Sequence, residues 1–297
     1  MIYKVVIWGC GSEYNRCYNA IRLQELEGKL EIIGVVSNER EYAAVDGKRF
    51  ILKEDLHEVK FDYVIVTFKG DFEKIGQEAL QIGIEREKLV RSAVFLLPLF
   101  DFNKYIEIKE SNLTIVSSHC WGGLTYHSLG LPIQSPFINM FERDFDFIKL
   151  VQNLKRYMEY QLKFAENGVN EEYGKYPIML LGDIPLHFLH YQSVEDVEKQ
   201  WYKRKERINF DNLFIEMITD NYDILEQFVT LPYKKICFTR TEFSDSSIYN
   251  VRDVFLKDRI DRAPIGLAQI PPKYVGYNVF DLLLGKVNNR LKYVERE

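Results

Sequence analysis

Tyr3-Lys4-Val5-Val6-Ile7-Trp8-Gly9-Cys10-Gly11 is the stretch that decides the fold of the N-terminal part of this chain. Lys4 aside, the run up to Trp8 is continuously apolar. That is the pattern of a strand covered on both faces, as strands of parallel sheets are. The run breaks at Gly9-Cys10-Gly11, and apolar residues then recur at Tyr14, Cys17, Tyr18, Ile21 and Leu26, the spacing of one helix face. Residues 30–36 predict a second strand ending at Ser37-Asn38, residues 63–67 a third, and 73–82 a helix closed by Gly83. The alternation is that of a right-handed βαβ unit in an open parallel sheet.

Ligands of such sheets sit beyond the carboxyl ends of the strands, here near Gly9, Gly11, Ser37 and Thr67. Gly9-Cys10-Gly11 begins a dinucleotide fingerprint, in which bare backbone lets a pyrophosphate approach a helix start. Two parts of the fingerprint are missing: Tyr14 stands where its third glycine belongs, and Ser37-Asn38 where a ribose-binding acid belongs. Gly9, Gly11, Ser37 and Asn38 are therefore expected to hold a nucleotide or nucleotide sugar rather than NAD(P), or else only to form a tight strand-to-helix turn.

The stretch 99–112 carries aromatic and charged residues without a clear period, and a domain boundary is expected near residue 108. Beyond it, residues 113–116 predict a strand that runs into Ser117-Ser118-His119-Cys120-Trp121-Gly122-Gly123. A strand over 136–141 and a long amphipathic helix over 146–167, stopped by Gly168, are expected next. Strands over 176–181 and 186–191 join through Gly182-Asp183, and Ser193 caps a helix whose first turn holds Glu195 and Asp196. Residues 214–219, 224–229 and 235–239 continue the alternation, and 280–284 predicts a short helix. The expected fold class is α/β: a Rossmann-like parallel-sheet domain over 1–108, then a second α/β domain over 109–297.

The 297 residues carry 39 Lys and Arg against 44 Asp and Glu, a net charge of −5. That balance lacks the basic footprint of a nucleic-acid binder. Hydrophobic residues at 46% provide for two buried cores, and four cysteines, at 10, 17, 120 and 237, are too few for a disulfide framework in a chain this long. No stretch is long and apolar enough to predict a membrane-spanning helix, and a cytoplasmic protein is expected.

Three residue words, Val5-Val6-Ile7-Trp8-Gly9-Cys10-Gly11, Ile33-Gly34-Val35-Val36-Ser37-Asn38 and Phe61-Asp62-Tyr63-Val64-Ile65-Val66-Thr67, resemble the small Rossmann-like modules attached to many bacterial sugar-modifying and polysaccharide-assembly proteins. A closer resemblance covers about residues 112–239. It is carried by His119-Cys120-Trp121-Gly122-Gly123, Tyr126-His127-Ser128-Leu129-Gly130-Leu131, Ser135-Pro136-Phe137-Ile138-Asn139, Tyr176-Pro177-Ile178-Met179-Leu180-Leu181-Gly182-Asp183, His187-Phe188-Leu189-His190-Tyr191 and the stretch from Trp201 to Asn209. These words resemble one bacterial family whose members are commonly labelled exopolysaccharide-biosynthesis proteins or left as a domain of unknown function. The resemblance implies a role in cell-envelope glycan assembly and brings no mechanism with it.

Within the second domain Cys120 follows a strand end, where Trp121-Gly122-Gly123 could aim backbone N–H groups at an anion. His127, seven residues on, could activate the thiolate in a Cys-His nucleophilic pair, with Asp183 as a site carboxylate. The plainer reading makes Cys120 a small residue packed under Trp121. His119, His127, His187 and His190 are four of the five histidines, but no spacing among them matches a zinc signature, and His187 and His190 point to opposite faces of a predicted strand. A sugar or phosphate site lined by the neutral imidazoles of His119, His127, His187 and His190 with Asn139 and Asp183 is expected instead of a metal site. Arg204 or Arg207 would hold a diphosphate while Trp201 stacks on a sugar or base, the alternative being a solvated helix end. Asp144-Phe145-Asp146 resembles the carboxylate doublet of a glycosyltransferase class, though acids before a helix are expected from capping alone. The leading expectation is a transferase-like enzyme, glycosyl or acyl, that binds an activated sugar between the Gly9–Gly11 turn and the 119–123 loop or within the second domain alone. A non-catalytic glycan-binding scaffold comes second, and an NAD(P)-dependent oxidoreductase last.

Overall fold

The computed structural model describes residues 1–37, 44–251 and 276–286. The chain divides into two units, Met1–Glu107 and Ile108–Glu297. The first unit is built on strands β1 (Tyr3–Trp8), β2 (Leu30–Val36), β3 (Ala44–Val45), β4 (Lys48–Ile51), β5 (Tyr63–Val66) and β6 (Leu89–Arg91), in the sheet order β3-β4-β2-β1-β5-β6. All neighbours but β3 and β4 pair in parallel. β1 lies at the centre because Val5, Val6 and Ile7 are fully buried, which suits a strand sealed on both faces. Helices α1 (Ser12–Leu26) and α2 (Phe72–Gln81) make the crossovers. The stretch without visible period contains α3 (Phe102–Glu110), which buries Phe102, Tyr105, Ile106 and Ile108. Its lysines and glutamates interrupt the apolar spacing enough to hide a helix of little more than two turns.

The β3–β4 hairpin turns at Asp46-Gly47, both with positive φ, the primed turn that matches strand twist. Asp46 accepts a hydrogen bond from the Tyr14 hydroxyl at 2.7 Å, which ties this hairpin to the start of α1. Asn38 lies outside the described residues.

The second unit holds a four-stranded, all-parallel sheet of β7 (Thr114–Ser117), β11 (Leu213–Ile218), β12 (Lys234–Thr239) and β13 (Ile248–Asn250), in the order β13-β12-β11-β7. Helices α4 (Trp121–Leu129), α5 (Asp144–Gln152), α6 (Leu154–Tyr157), α7 (Val194–Lys205), α8 (Tyr222–Val229) and α9 (Val279–Leu283) surround it. A separate antiparallel sheet, β10-β9-β8, is formed by β8 (Leu162–Asn170), β9 (Gly174–Leu181) and β10 (Ile184–His187). The core joins both sheets through Phe137, Phe147, Met179, Leu186, Trp201, Ile215 and Phe228.

Two expectations need correction here. Residues 136–141 form no strand of either sheet, and only Phe141 makes a bridge, to His187. The long helix over 146–167 is instead two short helices followed by β8. α5 stops at Asn153, and Leu162 to Asn170 pairs along its length with β9. β8 is mostly exposed, so it lacks the strict apolar alternation that marks a half-buried strand. Gly168 is no helix stop: it faces Tyr176 across the hairpin, and a Cβ there would lie 2.4 Å from the Tyr176 ring. The next turn, Gly182-Asp183, has positive φ at its glycine alone, as a two-residue hairpin with glycine leading requires. No helix among the described residues is long and apolar enough to cross a membrane.

Candidate functional site

The carboxyl ends of β7, β11 and β12 bring together groups that the sequence keeps far apart. Ser117 ends β7, and its hydroxyl contacts both the His119 carbonyl, at 3.0 Å, and Glu216 Oε2. Glu216 sits in the middle of β11, fully buried, and its Oε1 has no partner among the described residues. One hydroxyl proton cannot serve two acceptors. The contacts are both satisfied when Glu216 is protonated and donates to Ser117 Oγ, while Ser117 donates to the His119 carbonyl. Burial acts in the same direction, pushing the Glu216 carboxyl up to about 8 against the Ser117 hydrogen bond. Glu142 is 2% exposed, bonds through its N–H to the Ser118 carbonyl at 3.4 Å, and has neither carboxyl oxygen partnered among the described residues. Burial, then Asp146 and Glu216, raise it well above the usual carboxylate range.

His119 is fixed by the same network. Ser118 Oγ accepts from the Ile218 N–H at 3.3 Å and lies 2.8 Å from His119 Nδ1, which orients the ring. Burial lowers the imidazole to about 4, so His119 is neutral at physiological pH, with one ring nitrogen a donor and the other an acceptor.

Cys120 does not meet His127. Its Sγ lies 3.7 Å from His190 Nε2, and the His190 ring stands edge-on to Tyr173 at 4.7 Å. His127 is exposed on α4, where its carbonyl receives the Gly130 N–H that closes the helix. The helix carries it about two turns away from the strand end that the pair reading needed. The Cys120 thiol is raised by burial and then by Glu216, which keeps it protonated near neutrality. Peptide-resolved alkylation with iodoacetamide is expected to be slow at Cys120 at pH 7 and to accelerate above pH 9. Fast labelling at pH 7 would contradict a protonated thiol. Cys120 is half-buried, so it is not the packed residue of the plainer reading.

On the other side of the site, Asp144 accepts from the Thr219 hydroxyl, and Thr219 Oγ1 receives the Asn221 N–H at 3.1 Å. Asp220 takes Arg240 through the backbone N–H at 2.7 Å and through Nε at 2.6 Å. Partial burial works to raise Asp220, but the Arg240 hydrogen bonds outweigh it and hold the carboxyl below its ordinary value. Asn139, with φ +63°, offers its carbonyl to the His190 N–H at 3.4 Å. Among the described residues no three His, Cys, Asp or Glu side chains gather in a form that could hold a metal ion.

Several residues expected at the site have other work. Trp121 is fully buried, near Phe214 and Phe238 at ring distances of 6.0 and 6.1 Å, and donates to Tyr277 Oη at 3.2 Å. Gly122 lets α4 press on β7, since a Cβ there would lie 2.9 Å from the Ser117 Cβ, and Gly123 faces Ile138. The Trp-Gly-Gly word is a helix start packed on a strand rather than an exposed anion loop. Asp183 lies at the exposed tip of the β9–β10 hairpin, bonded to Lys149 and, at 2.8 Å, to the Tyr157 hydroxyl. Lys149 first and Tyr157 second lower its carboxyl. His187 is buried against Phe141, rings stacked at 4.6 Å, while His190 lies past the end of β10. Trp201 is 1% exposed between Phe137 and Phe188 and has no face left for a sugar. Arg204 donates to Tyr191 Oη at 2.7 Å and Arg207 to the Ile133 carbonyl at 3.3 Å, both bracing loops.

In the first unit, Gly9 is required by packing: with φ +111°, a Cβ there would lie 2.7 Å from Thr67 Oγ1. Gly11 faces open space, as a phosphate cradle would need. The surrounding residues do not fit a dinucleotide, however. Glu13, 5% exposed in the first turn of α1, holds a carboxylate between Arg16 and, at 3.9 Å, Lys69. The Tyr14 ring is buried where the fingerprint's third glycine would keep the helix bare.

A model described as "Domain of unknown function (DUF1919)" matches residues 92–265, more than half of the chain. The chain belongs to the DUF1919 family. A second model, "C2185-like, N-terminal", matches residues 1–90 of this DUF1919 chain. A Haemophilus influenzae strain Rd protein described as "Uncharacterized protein" is 33% identical over 161 residues, 52% of this chain and 75% of that protein. A solved structure of aspartate semialdehyde dehydrogenase II from Vibrio cholerae, complexed with ASA, is 10% identical over 86% of this chain and 85% of that one, at a TM-score of 0.27. That score is too low to carry a likeness of fold.

Glu142 and Glu216 were not foreseen, although Glu216 left a signal. It is the single charge within the apolar run Leu213-Phe214-Ile215-Glu216-Met217-Ile218, and a charge inside a strand sealed on both faces asks for a reason.

Proposed function

We propose that this DUF1919 chain serves cell-envelope glycan assembly as a transferase-like enzyme, binding a sugar at the carboxyl ends of the second unit's parallel sheet. The observation that carries this reading is the convergence there of His119, a neutral imidazole, half-buried Cys120 with exposed His190 beside it, and the Asp144–Thr219 and Asp220–Arg240 contacts. Parallel sheets place their ligands at this end, and sugar hydroxyls require paired donors and acceptors of this kind. The resemblance to exopolysaccharide-labelled proteins supports the same pathway.

The full chain and its Asp220→Ala variant serve as the test, by thermal shift and calorimetry against nucleotide sugars and neutral oligosaccharides, with product analysis by mass spectrometry. Binding weakened about tenfold by the substitution is expected, the scale of one charge-assisted contact. Failure of every sugar to bind at millimolar concentration would overturn the proposal. Binding without any product would favour a non-catalytic glycan-binding role.

A further inference from the structure

We propose that the paired starts of α5 and α8 form a subsite for an uncharged sugar ring, with Phe145 and Tyr222 as stacking faces and Asp144 and the Asp220–Arg240 pair as hydroxyl partners. This rests on the glycan reading above and assigns it a substrate class. α5 packs against α8. Their starts are held in register by one relay, from the Asn221 N–H to Thr219 Oγ1 and from the Thr219 hydroxyl to Asp144. Phe145 is the second residue of α5 and is 61% exposed, and Tyr222 is the first of α8 and is 54% exposed. Two large rings left in water at neighbouring helix starts, beside the carboxyl ends of the strands, ask for a ligand with a flat apolar face. The Tyr222 ring is backed by Phe243 at 5.1 Å, which steadies it.

Charge then selects among sugars. Helix starts normally attract anions, but these two are already compensated. The Asp223 and Ile224 N–H groups of α8 are taken by the Asn221 side chain. Asp144 and Asp146 occupy the first turn of α5, and Asp223 that of α8. With Asp220, four carboxyls stand at these two helix starts, and Arg240 is already engaged by Asp220. Behind Asp144 lies Glu142, buried with both carboxyl oxygens unpartnered among the described residues. A diphosphate placed here meets like charge. A pyranose meets two ring faces, a carboxylate acceptor and an Asp–Arg pair that offers donor and acceptor side by side to vicinal hydroxyls. The ring bound at this subsite is therefore a neutral glycan acceptor, and the phosphate-bearing part of any donor sits elsewhere.

The test uses the full chain with lactose and N,N′-diacetylchitobiose as neutral probes and UDP-glucose and UDP-N-acetylglucosamine as anionic ones, followed by calorimetry and saturation-transfer NMR. Phe145→Ala and Tyr222→Ala, both at exposed positions, are checked for unchanged melting. At least one neutral disaccharide is expected to bind independently of salt and to weaken about five- to tenfold in each variant. Neutral sugars that bind equally to both variants and the parent overturn the subsite. UDP-sugars that bind more tightly than neutral ones and lose affinity in either variant overturn its preference for an uncharged ring while leaving the glycan reading intact. Absence of binding by all four probes overturns the subsite and the glycan reading together.

Discussion

Replacing Glu216 by Gln is expected to abolish much of the loss of stability that the parent chain shows between pH 6.5 and 8.5. The ordinary carboxyl value is 4.5, and burial raises Glu216 to about 8 in the folded protein. Above pH 4.5 the unfolded chain has released this proton while the folded chain retains it. The folded state therefore loses ground as pH rises, until Glu216 ionises near pH 8 and the loss levels off. The full difference is on the order of 5 kcal/mol, an upper limit because a buried site can relax and admit water. The side-chain amide that E216Q introduces keeps a donor for Ser117 Oγ and cannot ionise. Neighbouring groups set the window for the measurement. Glu142 acts in the same direction as Glu216. His119, lowered by burial to about 4, acts in the opposite direction but only below pH 6.5. Cys237, raised by burial and then by Glu216, adds a loss only above its ordinary 9.0. Urea unfolding at pH 6.5 and 8.5 is expected to show a smaller difference for E216Q than for the parent, and a smaller one still for E142Q/E216Q. Identical pH dependence in parent and E216Q would mean that Glu216 is already ionised at pH 6.5.

Trp201→Ala is expected to lower stability by about 3–5 kcal/mol, the usual cost of truncating a buried tryptophan. For a unit of this size that corresponds to roughly a 10 °C fall in melting temperature. The ring is packed edge-to-face with Phe137 at 5.3 Å and Phe188 at 6.0 Å, and its removal leaves a void in the core that joins the two sheets. Trp201→Phe is expected to recover about half of the loss, because it restores much of the contact area. Melting followed by circular dichroism checks both. An unchanged melting temperature combined with lost sugar binding would return Trp201 to the ligand, against its 1% exposure.

Strands β1, β2 and β5 were legible because they are largely buried on both faces, and continuous apolar runs report such strands directly, whereas the short β3, β4 and β6 carry no such run. β8 was not legible. Its residues are mostly solvated, and its pairing with β9 is a tertiary fact that local spacing does not carry. Around the candidate site, spacing suggested partners other than those the fold supplies. Chain distance suggested His127 for Cys120, whereas the hairpin brings His190 back to it. Aromatic and basic residues around Trp201 suggested a ligand grip, yet they close the core and brace loops. The acids that matter, Glu142 and Glu216, look like ordinary charges until their burial is known, and the exposed ring of Phe145 is hidden in a short acidic word that capping alone explains.

Hydrogen exchange of the full chain, with and without a sugar that binds, tests most directly where the ligand sits. The expected result is protection confined to peptides covering 117–122, 142–146 and 218–223. Protection confined instead to the turn around residues 9–11, with those three segments unchanged, would contradict a ligand site at the carboxyl ends of the second sheet.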